Sequence, residues 1–202
     1  MSKNMFNFFK KDKQQNKKLW EQFKNKGNNS NILVEKAKAI TPFVIGFAIE
    51  DTKRLFEELE KDKERKIDNK FGEVLFEMVL FYLHFIDRTA FQYLKVEQRN
   101  TFIDALFIEI REQLSRIHES GIEATQFRSG FGEAYNARQI EYGKYKKMFA
   151  EKDEGTKDTL FWEFGKKIAG VLGNEMDIMV IMYVQMIIYS LTALQLPELF
   201  QE

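Results

Sequence analysis

Cysteine is absent from the 202-residue sequence, and proline and histidine occur only twice each. Without cysteine the chain can form no disulfide, thiolate zinc site or iron–sulfur cluster, and it has no cysteine nucleophile. Two histidines are too few for a zinc site built on three of them. Because proline breaks helix interiors, its scarcity permits long helices. These absences favour a helical protein that holds no metal and no other cofactor.

Motifs that bind nucleotides or mark hydrolases are missing as well. The sequence has no GxxxxGK[ST] phosphate loop, no GxGxxG motif between a strand and a helix, and no GxSxG nucleophile elbow. A di-iron bundle needs Glu-x-x-His pairs, but the residues three places before the two histidines are Phe81 and Ser115. We therefore lean towards a protein that is not an enzyme.

The composition is that of a globular protein, with 44% hydrophobic and 31% charged residues. Apolar residues recur at spacings of three and four, which is typical of amphipathic helices, and no strand pair or hairpin turn stands out. The sequence thus predicts an all-α fold, an irregular bundle of about seven helices. We expect a single domain over residues 32–202. No apolar run of signal-peptide length opens the chain, so we expect a cytoplasmic location.

Several helix positions can be predicted. Thr41 and Pro42 are typical of an N-cap followed by the first helical residue, so they predict the start of a helix. Residues 70–94 are apolar on nearly all sides, which predicts a central helix of the bundle. Small residues four positions apart at Gly165, Ala169 and Gly173 predict the close approach of another helix.

Residues 178–196 carry no charge, which raises the question of a membrane span. Four polar residues interrupt this run, and its flanks are acidic without a lysine or arginine anchor. These features favour a second buried core helix over a span, and Pro197 is expected to end it.

The first 31 residues predict a basic amphipathic arm and linker, with a flexible break at Gly27–Asn31. Residues 1–30 contain eight lysines and two acidic residues. Apolar side chains of such a tract can insert into a bilayer while the lysines meet anionic lipid. Alternatively the arm is a disordered tail, or it packs on the body. The candidates for membrane contact are Phe6, Phe8, Phe9, Lys10, Lys11 and Trp20.

A polar set interrupts the apolar sequence of the predicted helix over residues 70–94, and it consists of Glu77, His84, Asp87 and Arg88. A carboxylate beside an imidazole can orient a general base or a metal ligand, which would make this a ligand site. The alternative is structural: an ion pair between Asp87 and an arginine, with a hydrogen-bonded His84, would satisfy buried polar groups. We favour the structural interpretation.

A second candidate set lies on a later predicted helix, which spans about residues 122–151. It consists of Tyr135, Arg138 and Tyr142. Aromatic residues beside basic ones can stack nucleic-acid bases. The neighbouring lysines are balanced by glutamates, however, whereas a nucleic-acid surface is net basic. We therefore interpret the set as a core stripe with a solvated rim and expect no nucleic-acid partner.

The sequence favours a non-enzymatic interaction or regulatory protein that binds a protein partner or itself. Two alternatives stay open. One is a peripheral membrane protein anchored to an anionic surface by the arm. The other is a helical bundle that binds a small ligand or a metal around His84.

Overall fold

The computed structural model describes residues 21–23, 26–62, 70–116, 121–148, 157–187, 191 and 194–201, and for residues 121–128 and 187 it describes the backbone alone. In this part of the chain there are seven helices and no strand, which confirms the predicted all-α multi-helix fold. The helices are α1 (Ser30–Leu59), α2 (Phe71–Tyr93), α3 (Val96–Ser115), α4 (Gly121–Tyr142), α5 (Leu160–Val171), α6 (Ile178–Ile187) and α7 (Leu196–Phe200).

Backbone contacts divide the chain into two compact units. Unit 1 comprises Met1–Ile45, Tyr82–Glu133 and Ser190–Glu202, and unit 2 comprises Gly46–Phe81 and Ala134–Tyr189. Helices α1, α2 and α4 each contribute residues to both units. The single domain expected over residues 32–202 stays a prediction.

Helix α1 passes through Pro42, so the helix start predicted at Thr41 and Pro42 is wrong. The helix begins at Ser30, where the side chain of Asn29 accepts a hydrogen bond from the Ile32 amide at 3.1 Å. The Thr41 hydroxyl instead donates to the carbonyl of Ala37 at 2.9 Å within the helix.

The physical reason is a buried stripe that continues across the proline. Leu33, Ala37, Ile40 and Val44 are all fully buried at spacings of three and four. A proline inside a helix costs about 3 kcal/mol. Burial of this stripe outweighs the cost, because the larger side chains Leu33, Ile40 and Val44 each contribute about 1.5–3 kcal/mol when fully buried.

Helix α2 is buried without interruption from residue 77 to residue 87, as its apolar sequence predicts. In unit 2, the ring of Phe81 stacks on Phe164 with centroids 3.9 Å apart. It also meets the edges of Phe161 and Tyr142 at 5.5 and 5.6 Å. Four aromatic rings thus form the centre of the unit 2 core.

In unit 1, three hydrogen bonds converge on Asn28, and we call this group the Asn28 clasp. Asn28 is buried and lies in the segment predicted as a flexible break. The Asn28 side-chain amide donates to the carbonyl of Phe200 at 2.9 Å. Its side-chain oxygen accepts from the buried ammonium group of Lys36 at 2.7 Å. Its backbone carbonyl accepts from the Gln98 side chain at 3.0 Å. One asparagine therefore joins α1, α3 and α7.

Helices α5 and α6 pack against each other at Gly165, where a close approach was predicted. A Cβ atom placed on Gly165 would lie 2.9 Å from Cγ2 of Ile181 and 3.1 Å from its Cα and carbonyl oxygen. Only glycine leaves room for the α6 backbone at this distance. The small-residue prediction is confirmed at this position.

The apolar run 178–196 does not form one helix. Helix α6 ends at Ile187, and Pro197 lies in the first turn of α7 instead of ending the preceding helix. The predicted helix end at Pro197 is therefore wrong, because proline fits the first turn of a helix, where its missing N–H is not needed. Of the helices described, none is long and apolar enough to cross a membrane.

Candidate functional site

The polar set predicted on α2 is divided between the two units. Glu77 belongs to unit 2, whereas His84, Asp87 and Arg88 belong to unit 1. Glu77 and Asp87 each form an ion pair within their own unit. Glu77 and Asp87 are therefore paired with two different arginines, Arg138 and Arg99.

In unit 2, Glu77 pairs with Arg138 of the second candidate set. Nε of Arg138 donates to Oε2 of Glu77 at 2.7 Å, and its Nη2 donates to Oε1 of the same carboxylate. Nη1 of Arg138 donates to Glu141 at 3.0 Å. The hydrogen bonds that Arg138 donates to Glu77 raise the pKa of Arg138, against the opposing effect of burial. With its donors directed at two carboxylates, this guanidinium serves to neutralise a buried charge.

Tyr142 lies beside this pair and is fully buried, whereas Tyr135 is half-buried. Burial, followed by the nearby negative charge of Glu77, raises the pKa of the Tyr142 hydroxyl well above its usual value of 10.0. Burial thus favours the neutral form of this hydroxyl. The ring serves the aromatic core through its contact with Phe81.

In unit 1, Asp87 pairs with Arg99 of α3. Nε and Nη2 of Arg99 donate to the two carboxylate oxygens, each at 2.6 Å. This is the kind of pair that the structural interpretation expects. His84 is buried, and Arg88 is half-buried with a pKa lowered by desolvation. Among the residues described, no group of three or more His, Asp or Glu side chains is placed to hold a metal ion.

A cleft of about 390 Å³ opens on unit 2, and sequence reasoning does not reveal it. Its lining residues come from α4, α5 and the segment after α5, namely Glu141, Glu163, Lys166, Lys167, Gly170, Val171 and Glu175. Lys166 contacts Glu163 at 3.0 Å and Glu175 at 3.4 Å, and Lys167 lies 3.9 Å from Glu141. The cleft charges are thus paired with one another.

An exposed apolar surface lies on α6. Four apolar side chains on one side of this helix are exposed, and we call them the methionine face: Ile178, Met179, Met182 and Met186. The three methionines are each more than half exposed, at 56, 54 and 54%. Met176, just before the helix, is exposed as well.

Helical geometry explains the two sides of α6. At about 100° per residue, Met179, Met182 and Met186 fall within about 60° of one another. Val180, Ile181 and Val184 fall on the opposite side and are fully buried. The prediction of a core helix is therefore correct for one side of α6 and wrong for the other. A methionine in an apolar run gives no sequence signal that separates these two environments.

The six predicted membrane-contact residues, Phe6, Phe8, Phe9, Lys10, Lys11 and Trp20, lie outside the described residues. Membrane association through the arm stays a prediction. Comparison with known protein families, with curated proteins and with solved structures finds no match for this chain.

Proposed function

We propose that this protein is a helical interaction module that binds a protein partner through the methionine face of α6. The supporting observation is the exposure of three methionines and one isoleucine on a single helix side. Contiguous apolar patches on the surface of a protein mark interaction sites. Burial of such a patch releases about 25 cal/mol per Å².

Methionine suits a docking surface that accommodates a helix. Its side chain is unbranched and polarizable, so it adjusts to the shape of the partner. Side chains at spacings of three and four are neighbours on a helix surface, which makes Met179, Met182 and Met186 one continuous strip. The strip therefore offers a compact apolar surface of about two helical turns.

The ionisable residues support binding more than catalysis. Glu77 and Arg138 are directed at each other, and so are Asp87 and Arg99. Bidentate charge-assisted pairs are strong and hold both side chains in one geometry. An interaction role accounts for the exposed surface without assigning chemistry to these pairs.

Site-specific photo-crosslinking in cells tests the proposal. A benzophenone amino acid replaces Met182 in one variant and Ile140, which is 71% exposed on α4, in a control variant. We expect a discrete protein adduct from position 182 and none from position 140. Equal adducts from both positions, or no adduct from position 182, would contradict the proposal.

A further inference from the structure

Methionine is the only source of sulfur in the chain, and it is concentrated on and beside α6. The sequence has no cysteine and eight methionines, and four of the eight lie within residues 176–186. Where a protein has an exposed cysteine, its thiolate is the sulfur that reacts readily with peroxides. In this chain, oxidation at sulfur can occur only at methionine.

The structure separates the methionines by exposure. The four in residues 176–186 are each more than half exposed, namely Met176, Met179, Met182 and Met186. By contrast, Met78 at the centre of α2 is fully buried, and Met148 after α4 is half-buried. Susceptibility to oxidation follows exposure, and a buried side chain reacts only when the structure opens locally. A dissolved oxidant therefore meets the four exposed sulfurs first.

The position of these sulfurs lets α6 tolerate oxidation. The packing of the helix depends on Val180, Ile181 and Val184, which are fully buried on the opposite side and contain no sulfur. Changes on the exposed side of a helix usually have little effect on stability. The surface itself does change, because a methionine sulfoxide is polar where the thioether was apolar.

We propose that the methionine face is a reversible oxidation site at which sulfoxide formation switches off docking, and the docking part of this inference rests on the proposed function. A sulfoxide oxygen binds water, and an apolar partner surface cannot replace those hydrogen bonds. Burying a polar group without a partner costs free energy. Because the three sulfurs of the face are neighbours on the helix surface, the whole strip becomes polar when they are oxidised.

The oxidant is a hydroperoxide, of which hydrogen peroxide is the simplest. A lone pair of the methionine sulfur attacks one peroxide oxygen, so that an S–O bond forms while the O–O bond breaks. The sulfur is oxidised by two electrons, and the departing hydroxide takes the proton of the transferred oxygen and leaves as water. Methionine sulfoxide reductases reverse the step. In the reversal two thiols are oxidised to a disulfide, and the sulfoxide oxygen leaves as water.

Mass spectrometry of the folded full chain after treatment with hydrogen peroxide tests the oxidation site. Trypsin cuts after lysine and arginine, and neither follows Lys167, so the peptide 168–202 carries all four exposed methionines. Met78 is the only methionine of peptide 71–88, and Met148 is the only one of peptide 148–152. We expect peptide 168–202 to gain oxygen at least about tenfold faster than peptide 71–88, with peptide 148–152 between them.

Denaturation of the oxidised chain tests whether the fold survives. The urea midpoint of a chain oxidised in peptide 168–202 should stay close to that of the untreated chain, because the buried side of α6 is unchanged. Incubation with both methionine sulfoxide reductases and dithiothreitol should remove the added oxygen from the folded chain.

Photo-crosslinking from Ile178 tests the switch, since this residue lies on the methionine face and contains no sulfur. A benzophenone amino acid replaces Ile178 in the otherwise unchanged chain and in a matched variant with Met179→Leu, Met182→Leu and Met186→Leu. Leucine keeps the apolar volume and cannot be oxidised in this way. We expect hydrogen peroxide to reduce the protein adduct at least about fivefold in the methionine chain and to leave it unchanged in the leucine variant.

Oxidation of peptide 168–202 no faster than that of peptide 71–88 would overturn the inference, and so would unfolding of the chain by oxidation. An adduct that persists after oxidation, or that is lost equally in the leucine variant, would show that the methionines do not control docking. Absence of the adduct before any peroxide is added would instead contradict the proposed function. The mass spectra would then decide the oxidation site by themselves.

Discussion

Helix α6 has a more apolar sequence than helix α2, yet solvent reaches one side of α6 and does not reach the centre of α2. Helix α2 buries every residue from 77 to 87, including three with charged or imidazole side chains. Helix α6 buries Val180, Ile181 and Val184 and leaves three methionines on its other side exposed. The difference shows that apolar composition decides whether a helix has a face to bury. How many of its faces are covered depends on the neighbouring elements.

The largest effect is expected from a substitution in the centre of α2. Phe81→Ala removes a ring that contacts Phe161, Phe164 and Tyr142, and it leaves a cavity. We expect a loss of about 3–5 kcal/mol in the free energy of unfolding, measured by urea denaturation. The matched control is Phe91→Ala in the same helix, where the ring is 66% exposed and lies under Arg99. Its cost should stay below about 1 kcal/mol. Equal costs would contradict the description of α2 as buried at its centre only.

A smaller loss of stability is expected from a substitution in α5 where it packs against the buried side of α6. Gly165→Ala places a Cβ 3.1 Å from the Ile181 backbone, so α5 and α6 must move apart. We expect a destabilisation of about 1–3 kcal/mol in thermal or urea denaturation. Gly130→Ala in α4 is the control, because open space surrounds that position. It should stabilise the protein by about 0.5–1 kcal/mol through helix propensity. A stabilising Gly165→Ala would show that the two helices are not in tight contact.

The smallest effect is expected on the exposed side of α6. The triple variant Met179→Gln, Met182→Gln and Met186→Gln should change the free energy of unfolding by less than about 0.5 kcal/mol per site, since surface substitutions have little effect. Val184→Gln on the buried side should cost about 2 kcal/mol or more, because it buries an amide. A large loss in the triple variant would mean that the methionines belong to the core.

The fold class follows from the sequence because helical periodicity persists through most of the chain. The predicted helix start at Pro42 fails for a tertiary reason. Local preference at Thr41 and Pro42 favours a boundary, but a buried stripe from Leu33 to Val44 holds one helix through it. The predicted helix over 178–196 likewise fails, because the structure describes α6 over Ile178–Ile187 and a separate helix α7 over Leu196–Phe200.

The site was less predictable than the fold. An arginine partner for Asp87 was expected, but its identity as Arg99 depends on how α2 and α3 pack. Glu77 and Arg138 are separated by 61 positions in the sequence, so only the tertiary structure pairs them. The methionine face gives no sequence signal, because the same periodicity would suit a helix covered on all sides.

The hydrogen bonds of the Asn28 clasp can form only in a certain order during synthesis of the chain. Its side chain and the carbonyl of Phe200 are 172 positions apart, so the ribosome adds the second partner long after the first. At about 5–20 residues per second, the interval is roughly 10–30 s. The hydrogen bond from Lys36 to the Asn28 side-chain oxygen can form early, because the two residues are eight positions apart. The hydrogen bond that the Asn28 amide donates to Phe200 requires α7 to have been synthesised. The hydrogen bond between Asn28 and Phe200 therefore forms only after translation has passed Phe200.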